Sequence, residues 1–352
     1  MEVLKEIIIF ILGGFLALST WSAEHIERGL AQLPSFTTPS GVQEPTSPEI
    51  EASGNAPEVE GVSEEVVFEP AVEIPVPERI AGALVSIQCN LTSKNLEEST
   101  SGSGIIIDPR GVILTNAHVA QLLLLEDTPE QDLSTTCVVK TGNPAKPLYQ
   151  ARLLYISPLW VHEHADLITN PDPTGTGARD YALLYISAAH EGLLPSEFPY
   201  IPLSVTALGN EHRDAAVFVA GYPVQTIEDE ATTDYPVVEE RMIQGLYGYT
   251  SYQVDLISVE SIGDGGRGAS GGPVVSEDGH VIGIIATRGT VRPDGSQTLR
   301  ALTSYYINKT MLEETGFSVN DNLTGSLPFR ANSFRDVLTP FLSDTLKNEL
   351  SR

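Results

Sequence analysis

Basic residues are scarce in this chain: 20 Lys and Arg stand against 47 Asp and Glu, and the formal net charge over 352 residues is -27. A protein this acidic is repelled by the phosphate backbone of nucleic acids and by anionic membrane surfaces. We therefore expect no nucleic-acid partner. Hydrophobic residues are not scarce: at 41% they are ample for a packed core, and the chain as a whole is not predicted to be disordered.

Cysteine is almost absent, with Cys89 and Cys137 as the two examples. Their spacing is not that of a metal site, and a single pair neither demands nor excludes a disulfide. Two separate buried thiols are the favoured interpretation, with a bridge between them as the alternative. The alternating His162, His164 and Asp166 of "VHEHAD" are interpreted as a solvated loop, so we expect no metal and no cofactor.

Long apolar runs are also few, and the clearest extends from Ile7 to Ala23, with Lys5 before it. Its length is at the short end for a spanning helix, and Trp21 stands where a cleavable signal would have a small residue. We favour an uncleaved membrane anchor at residues 1–23 over a cleaved export signal. Either interpretation predicts that the rest of the chain is extracytoplasmic, membrane-anchored in the first case and secreted in the second.

Basic residues are also rare in the next segment, where none occurs between Glu44 and Glu78. Prolines recur from Pro34 to Pro77, and glutamates from Glu44 onward meet no Lys or Arg until Arg79. Such a segment cannot bury enough apolar surface to fold, and its like charges repel one another. We predict a disordered, acidic stalk at residues 24–78.

The remaining sequence has few helical runs and many short aliphatic ones. Segments such as "ALVSIQC", "GVILTNA", "YALLYIS" and "VIGIIATRG" are separated by Gly, Pro and Asp turns, which predicts an all-β barrel or sandwich domain at residues 79–312. Residues 313–352 carry apolar side chains at near-helical spacing and are predicted to form a helical tail. A helix packed on the barrel is the ordinary interpretation of this tail, and a partner-binding helix is the alternative.

Three polar residues occur in settings that suit nucleophilic catalysis. A serine nucleophile needs a neighbouring base, a carboxylate that orients the base, and backbone donors for the oxyanion. An apolar strand runs into His118 in "GVILTNAH", and Asp180 precedes the apolar strand of "ARDYALLYIS". Each feature alone is usually a surface residue or a turn former. Their joint occurrence with a serine in a glycine cluster favours a catalytic site.

The glycine cluster is "GGRGASGGPVV" at residues 265–275, with Ser270 at its centre. Glycines at 268, 271 and 272 permit a tight turn whose N–H groups converge, which side chains would obstruct. The cluster is therefore interpreted as a turn that presents a nucleophile.

Four motifs together resemble one family. The "TNAHV" around His118, "RDYALL" around Asp180, "VAGYP" at 219–223 and "GASGGPVV" around Ser270 are similar to those of the trypsin-like serine peptidases of the chymotrypsin fold, and nearest to PDZ-less HtrA/Deg-type bacterial proteases. The likeness covers about residues 80–312. It implies two six-stranded antiparallel β-barrels with the active-site cleft between them.

The resemblance also implies roles for these residues. His118 would be the general base and acid, Asp180 would orient it, and Ser270 would attack the scissile carbonyl. The amides of Gly268 and Ser270 would form the oxyanion hole. The expected function is an extracytoplasmic serine endopeptidase with protein or peptide substrates, attached to the membrane by the amino-terminal segment. The alternative is a catalytically inactive trypsin-fold binding module at the cell surface.

One residue departs from the family pattern. Ala269 stands where digestive relatives have an Asp that receives a newly freed amino terminus and where HtrA-type relatives have Asn. The "ERIAGA" at residues 78–83 resembles an activation site, but without that carboxylate nothing awaits the amine of Ile80. We therefore predict no activation by that route.

The residues of the specificity pocket are predicted from their position in the sequence relative to Ser270. Six positions before the serine, the family resemblance places Asp264 at the pocket base, which would favour Lys or Arg in the substrate. Arg288 would lie near the same pocket and pair with Asp264, cancelling its charge. We rank a small aliphatic or mixed preference first, a basic one second and an acidic one third.

Overall fold

The computed structural model describes residues 74–93, 97–126, 133–169, 176–227, 230–250, 252–263, 267–291 and 297–351. The anchor predicted at residues 1–23 and most of the stalk predicted at 24–78 lie outside these ranges. Within them, no helix is long and apolar enough to span a bilayer. Helix α1 (Val76–Ala83) begins before the predicted end of the stalk and buries Ile80 and Ala83. Pro77 lies in its first turn, where a missing N–H costs nothing.

A closed six-stranded barrel forms the first half of the folded part, as the resemblance implies. Its strand order is β1-β2-β3-β6-β5-β4, and each pair of neighbours is antiparallel. The strands are β1 (Leu84–Ser93), β2 (Glu97–Asp108), β3 (Val112–Thr115), β4 (Leu133–Gly142), β5 (Ala145–Ile156) and β6 (Ala182–Ala189). Short helices connect them: α2 (Ala117–Ala120), α3 (Leu123–Glu126), α4 (Pro158–Glu163) and the 3-10 turn Ala165–Ile168.

The two cysteines form a disulfide in this barrel, so the expectation of two separate thiols was wrong. Cys89 on β1 lies opposite Cys137 on β4 in the register of the two strands. Their Cα atoms are 4.1 Å apart, and the bond joins them. The reason is the pairing of β1 with β4, which are separated in the chain by β2, β3 and two helices.

A second sheet of seven strands follows, in the order β10-β7-β13-β14-β15-β12-β11, and a separate hairpin pairs β8 with β9. A 3-10 turn (Asn210–His212) precedes the first of these strands. The strands are β7 (Ala216–Gly221), β8 (Gln225–Ile227), β9 (Glu230–Thr232), β10 (Val237–Met242), β11 (Gly245–Tyr247), β12 (Leu256–Glu260), β13 (Pro273–Ser276), β14 (Val281–Val291) and β15 (Gln297–Thr303).

The second six-stranded barrel predicted from the resemblance is instead a half-barrel. Its edge strands β10 and β11 are consecutive in the chain, separated by Ile243 and Gln244. The Ile243 N–H donates to Ala215 O beside β7, whereas the Gln244 N–H donates to Ser258 O on β12. The chain therefore switches from one neighbour to the other at this point. Within the described residues β10 and β11 are not hydrogen-bonded to each other, so the order of this sheet is open from β10 to β11.

The carboxyl-terminal tail is helical, as predicted. Helix α5 (Ser304–Thr315) crosses the predicted boundary at residue 312, and α6 (Val319–Asn322), α7 (Leu327–Val337) and α8 (Thr339–Leu350) follow within the tail. Phe334, Leu342 and Leu346 of the last two helices are buried in the same apolar cluster as the first barrel. Burying each such side chain contributes about 1.5–3 kcal/mol. The tail is therefore a packed part of the domain, in agreement with the ordinary interpretation.

Candidate active site

His118 lies just beyond the end of β3, in the short helix α2. All four residues of β3 are buried, so the strand fixes where the chain emerges from the barrel. Asn116 caps the start of α2 with an extended backbone, and its side chain is completely buried. The His118 side chain retains 12% exposure. The imidazole is thus held by a buried strand end but remains accessible to a reactant.

Asp180 is presented by a tight turn just before β6. The Asp180 N–H donates to Gly177 O at 3.2 Å, and the Tyr181 N–H donates to Arg179 O at 2.9 Å. Gly177 has φ +76° and Arg179 has φ +59°, so the chain reverses through two left-handed residues. The Asp180 side chain is 6% exposed. A carboxylate this buried needs hydrogen-bond partners, because burial removes its contacts with water.

The structure brings His118 and Asp180 together. The His118 Nδ1 lies 2.7 Å from Asp180 Oδ2, and the His118 backbone N–H donates to Oδ1 at 3.0 Å. Asn116 Nδ2 donates to the Asp180 carbonyl at 2.7 Å. Both carboxylate oxygens thus face His118. When Nδ1 of a neutral imidazole donates such a bond, Nε2 carries the lone pair and can accept a proton.

Ser270 lies in the turn that enters β13, and this turn is bonded to the first barrel. The Ser103 N–H on β2 donates to Ser270 O at 2.7 Å. Gly271 has φ +82°, and a Cβ there would lie 2.1 Å from Ser103 O and 3.2 Å from the Asn116 N atom. Only glycine permits so close an approach to the strand end that leads to His118. Within the described residues no hydrogen bond joins Ser270 Oγ to the imidazole, whose Nδ1 contacts Asp180.

Ser103 holds the other side of the same turn. Its Oγ donates to Gly268 O at 2.9 Å and accepts the Tyr222 N–H at 2.8 Å. Thr115 Oγ1 donates to the Ser103 carbonyl at 2.7 Å. One completely buried serine therefore links the turn around Ser270 to β3 and to the end of β7.

The backbone donors predicted for the oxyanion hole are placed in this turn. Gly268 has φ +82°, and a Cβ there would approach Tyr222 O to 2.7 Å. The amides of Gly268 and Ser270 donate to no acceptor among the described residues, whereas the next two amides do: Gly271 N–H to Ile285 O and Gly272 N–H to Ala269 O, both at 2.8 Å. The role of Gly268 and Ser270 in an oxyanion hole remains a prediction.

Ala269 is completely buried in the apolar cluster of the second sheet. Val219 and Val274 belong to the same cluster. The environment of the residue before the serine is therefore apolar, which agrees with the absence of a carboxylate at this position.

Of the two residues predicted to form the specificity pocket, the structure describes Arg288. Asp264 lies outside the described residues, and Arg288 lies on β14 opposite Leu299. Their pairing and their role in specificity remain predictions. A groove of about 620 Å³ elsewhere on the second sheet includes His212, Ser276 and His280 in its lining and contains neither His118 nor Ser270. This groove is not the cleft between the predicted catalytic residues.

The histidines of "VHEHAD" lie in and after α4. The His164 ring stacks on Trp160 at a centroid distance of 5.3 Å, and its Nδ1 lies 3.1 Å from Trp160 O. No group of three or more potential metal ligands occurs in the part of the chain that the structure describes.

Sequence reasoning missed Ser103 and the side chain of Asn116 as parts of this site. Ser103 lies within "GSGIIID" and Asn116 within "TNAHV", and neither pattern indicates a partner far along the chain. Ser103 bonds to a residue 165 positions away, and Asn116 to one 64 positions away.

The family profile described as a trypsin-like peptidase domain matches residues 102–284, more than half of the chain. No curated protein matches. Among solved structures, the active form of the Rv3671c protease from M. tuberculosis is similar, with 18% identity and a TM-score of 0.42 over 72% of this chain and 95% of that one. The inactive form gives 19% identity and a TM-score of 0.40 over 69% of this chain and 93% of that one. Likenesses this distant add nothing to the family match.

Proposed function

Because this chain belongs to the family of trypsin-like serine peptidases, we propose that it is an extracytoplasmic serine endopeptidase in which His118, Asp180 and Ser270 form the catalytic triad. The observation that carries the proposal is the contact between His118 Nδ1 and Asp180 Oδ2 at 2.7 Å, next to a glycine turn that contains Ser270. This pairing leaves Nε2 as the nitrogen that accepts a proton.

The reaction follows from these positions. The Ser270 hydroxyl oxygen bonds to the peptide carbonyl carbon while its proton passes to His118 Nε2. The imidazolium that forms is stabilised by Asp180, which keeps its charge. The imidazolium then gives the proton to the amine as the C–N bond breaks, and an acyl-enzyme remains. A water molecule then attacks the acyl carbon while its proton passes to His118 Nε2. The imidazolium gives this proton to Ser270 Oγ as the acyl–oxygen bond breaks, which releases the acid and restores Ser270.

The oxyanion formed in each step needs donors, and the amides of Gly268 and Ser270 are the groups proposed. Their lack of acceptors among the described residues supports this assignment. Removing one oxyanion donor typically costs about 2.7–4 kcal/mol of transition-state stabilisation.

The proposed location rests on the sequence. The apolar run at Ile7–Ala23 followed by the acidic, proline-rich segment supports a domain held outside the cytoplasm by an uncleaved anchor. Its substrates would then be proteins or peptides of that compartment. A small aliphatic or mixed preference stays first among the proposed specificities.

A serine-directed fluorophosphonate probe tests the catalytic proposal. The wild type should be labelled, and Ser270→Ala should not. Ser187→Ala is the control, because Ser187 lies on β6 with only a 3.4 Å contact to Gln150 O and should label like the wild type. Thermal unfolding of each variant shows whether it is folded. Wild-type labelling no stronger than that of Ser270→Ala would favour the inactive binding module, and internal cleavage of a peptide library would establish endopeptidase activity.

A further inference from the structure

Both neighbours of Asp180 in the chain are bonded to the same carboxyl-terminal helix. Arg179 Nε donates to Glu314 Oε1 on α5 at 2.5 Å. The Tyr181 hydroxyl lies 2.9 Å from Thr310 Oγ1, one turn earlier on that helix. The turn that presents Asp180 is thus held at two points by an element more than 100 residues further along the chain.

The turn needs such support because Arg179 is strained. Its φ of +59° is in the left-handed region, which residues other than glycine, asparagine and aspartate rarely adopt. A residue in this conformation persists only where its surroundings hold it, and such residues cluster at functional sites. The ion pair with Glu314 holds the Arg179 side chain against α5.

Glu314 is itself held in one orientation. Its second oxygen, Oε2, accepts the Tyr155 hydroxyl at 2.6 Å, and the Tyr155 ring stacks on that of Tyr181 at 5.9 Å. Burial, and then the nearby Tyr181 and Glu314, raise the pKa of Tyr155, so the hydroxyl keeps the proton that it donates. The Glu314 side chain is only 15% exposed. Both oxygens of this carboxylate are therefore used, unlike those of a typical surface ion pair.

We propose that Glu314 is a positioning residue: by holding Arg179 in its left-handed conformation, it keeps Asp180 Oδ2 aligned with His118 Nδ1. This inference rests on the proposed function. Glu314 touches no reacting atom and acts only through the turn that carries Asp180. Helix α5 follows the last strand of the second sheet and contacts the turn before β6. Through this helix Glu314 acts on a turn that belongs to the first barrel.

The first test is Glu314→Gln, which keeps the shape and removes the charge. We expect kcat to fall about tenfold with KM nearly unchanged, short of the roughly 100-fold cost of a misplacement of about 1 Å. Glu313→Gln is the matched control, because Glu313 is 52% exposed and pairs with Lys309 only at 4.0 Å. It should behave like the wild type. An unchanged kcat in Glu314→Gln, or an equal fall in the control, would contradict the proposal.

The second test asks whether the effect passes through Arg179. Asparagine adopts the left-handed conformation more readily than arginine does, so Arg179→Asn should form the turn without Glu314. In that background Glu314→Gln should change kcat less than about twofold. A fall as large as in the wild-type background would show that Glu314 acts by another route.

A third measurement does not depend on activity. At alkaline pH the 15N chemical shifts of the neutral His118 imidazole, assigned with His118→Ala, report which ring nitrogen carries the proton. We expect a single Nδ1–H form in the wild type and in Glu313→Gln, and a mixture of the two forms in folded Glu314→Gln. Identical shifts in all three would refute the positioning role. If the wild type fails to react with the fluorophosphonate, the proposed function fails while this measurement still decides the role of Glu314.

Discussion

Replacing Ser103 by alanine should loosen the turn around Ser270 without touching the predicted triad. Ser103 is completely buried, and its hydroxyl accepts from Tyr222 N–H at 2.8 Å and donates to Gly268 O at 2.9 Å. Alanine removes both bonds and leaves a buried donor and a buried acceptor. Each buried group left without a hydrogen-bond partner lowers the free energy of unfolding by about 1–3 kcal/mol. For the pair we expect a loss of about 2–4 kcal/mol in the free energy of unfolding.

The assay is urea unfolding together with thermal unfolding. At roughly 2–4 °C per kcal/mol for a domain of this size, Ser103→Ala should lower Tm by about 4–16 °C. Because Gly268 carries one proposed oxyanion donor, the rate of fluorophosphonate labelling should fall as well. A folded variant that is destabilised yet labels at the wild-type rate would show that the bond to Gly268 does not shape the oxyanion turn.

The chain offers a matched control in Ser86 on β1. Its side chain is also buried, at 1% exposure, but its Oγ has no hydrogen-bond partner among the described residues. Ser86→Ala removes an unsatisfied polar group and should leave stability unchanged or raise it. Equal unfolding midpoints for Ser103→Ala and Ser86→Ala would refute the assignment of the energy to the two hydrogen bonds of Ser103.

Three further predictions follow from the same region and from the buried tyrosines. Ala269→Asp should lower the free energy of unfolding, measured by urea unfolding, by about 3–5 kcal/mol. The reason is that it places a carboxylate without a partner in an apolar cluster. Gly271→Ala should fold poorly or lose fluorophosphonate labelling, since φ is +82° and the new Cβ would meet Ser103 O at 2.1 Å. Above pH ~10, where exposed tyrosines ionise, stability should fall with rising pH: the unfolded chain loses tyrosine protons that the folded chain retains, which urea unfolding and tyrosinate absorbance measure together. Burial raises the pKa of each of these side chains: to about 12 for Tyr222 and Tyr306, and upward as well for Tyr155, Tyr181 and Tyr249.

Local patterns were enough to predict the strands and the setting of two site residues. The apolar runs that end at His118 and begin after Asp180 became β3 and β6, which pair with each other. Since the two residues flank the paired ends of neighbouring strands, their contact follows from the pairing. The sequence contained the strand ends but not the pairing, which the family resemblance supplied.

Features that depend on register were not predictable in this way. The Cys89–Cys137 bridge requires those two residues to be opposite partners on β1 and β4, and a shift of one position would place the side chains on opposite faces. Ser103 and Glu314 fall in the same class, because each acts on a backbone segment that is distant in the chain. Residues of this kind have no local signature, since a serine in a strand or a glutamate in a helix is ordinary for its position.

Ala269 and Ile80 give one consistent account of how the turn around Ser270 is formed. In digestive relatives a freed amino terminus pairs with the Asp before the serine, so cleavage completes that turn. Here the position holds a buried alanine, and a neutral serine hydroxyl from β2 bonds the turn instead. Ile80, which would carry the freed amine, is completely buried inside α1. Releasing its amine would require unfolding that helix. We therefore expect cleavage before Ile80 to remove buried contacts without supplying an ion pair.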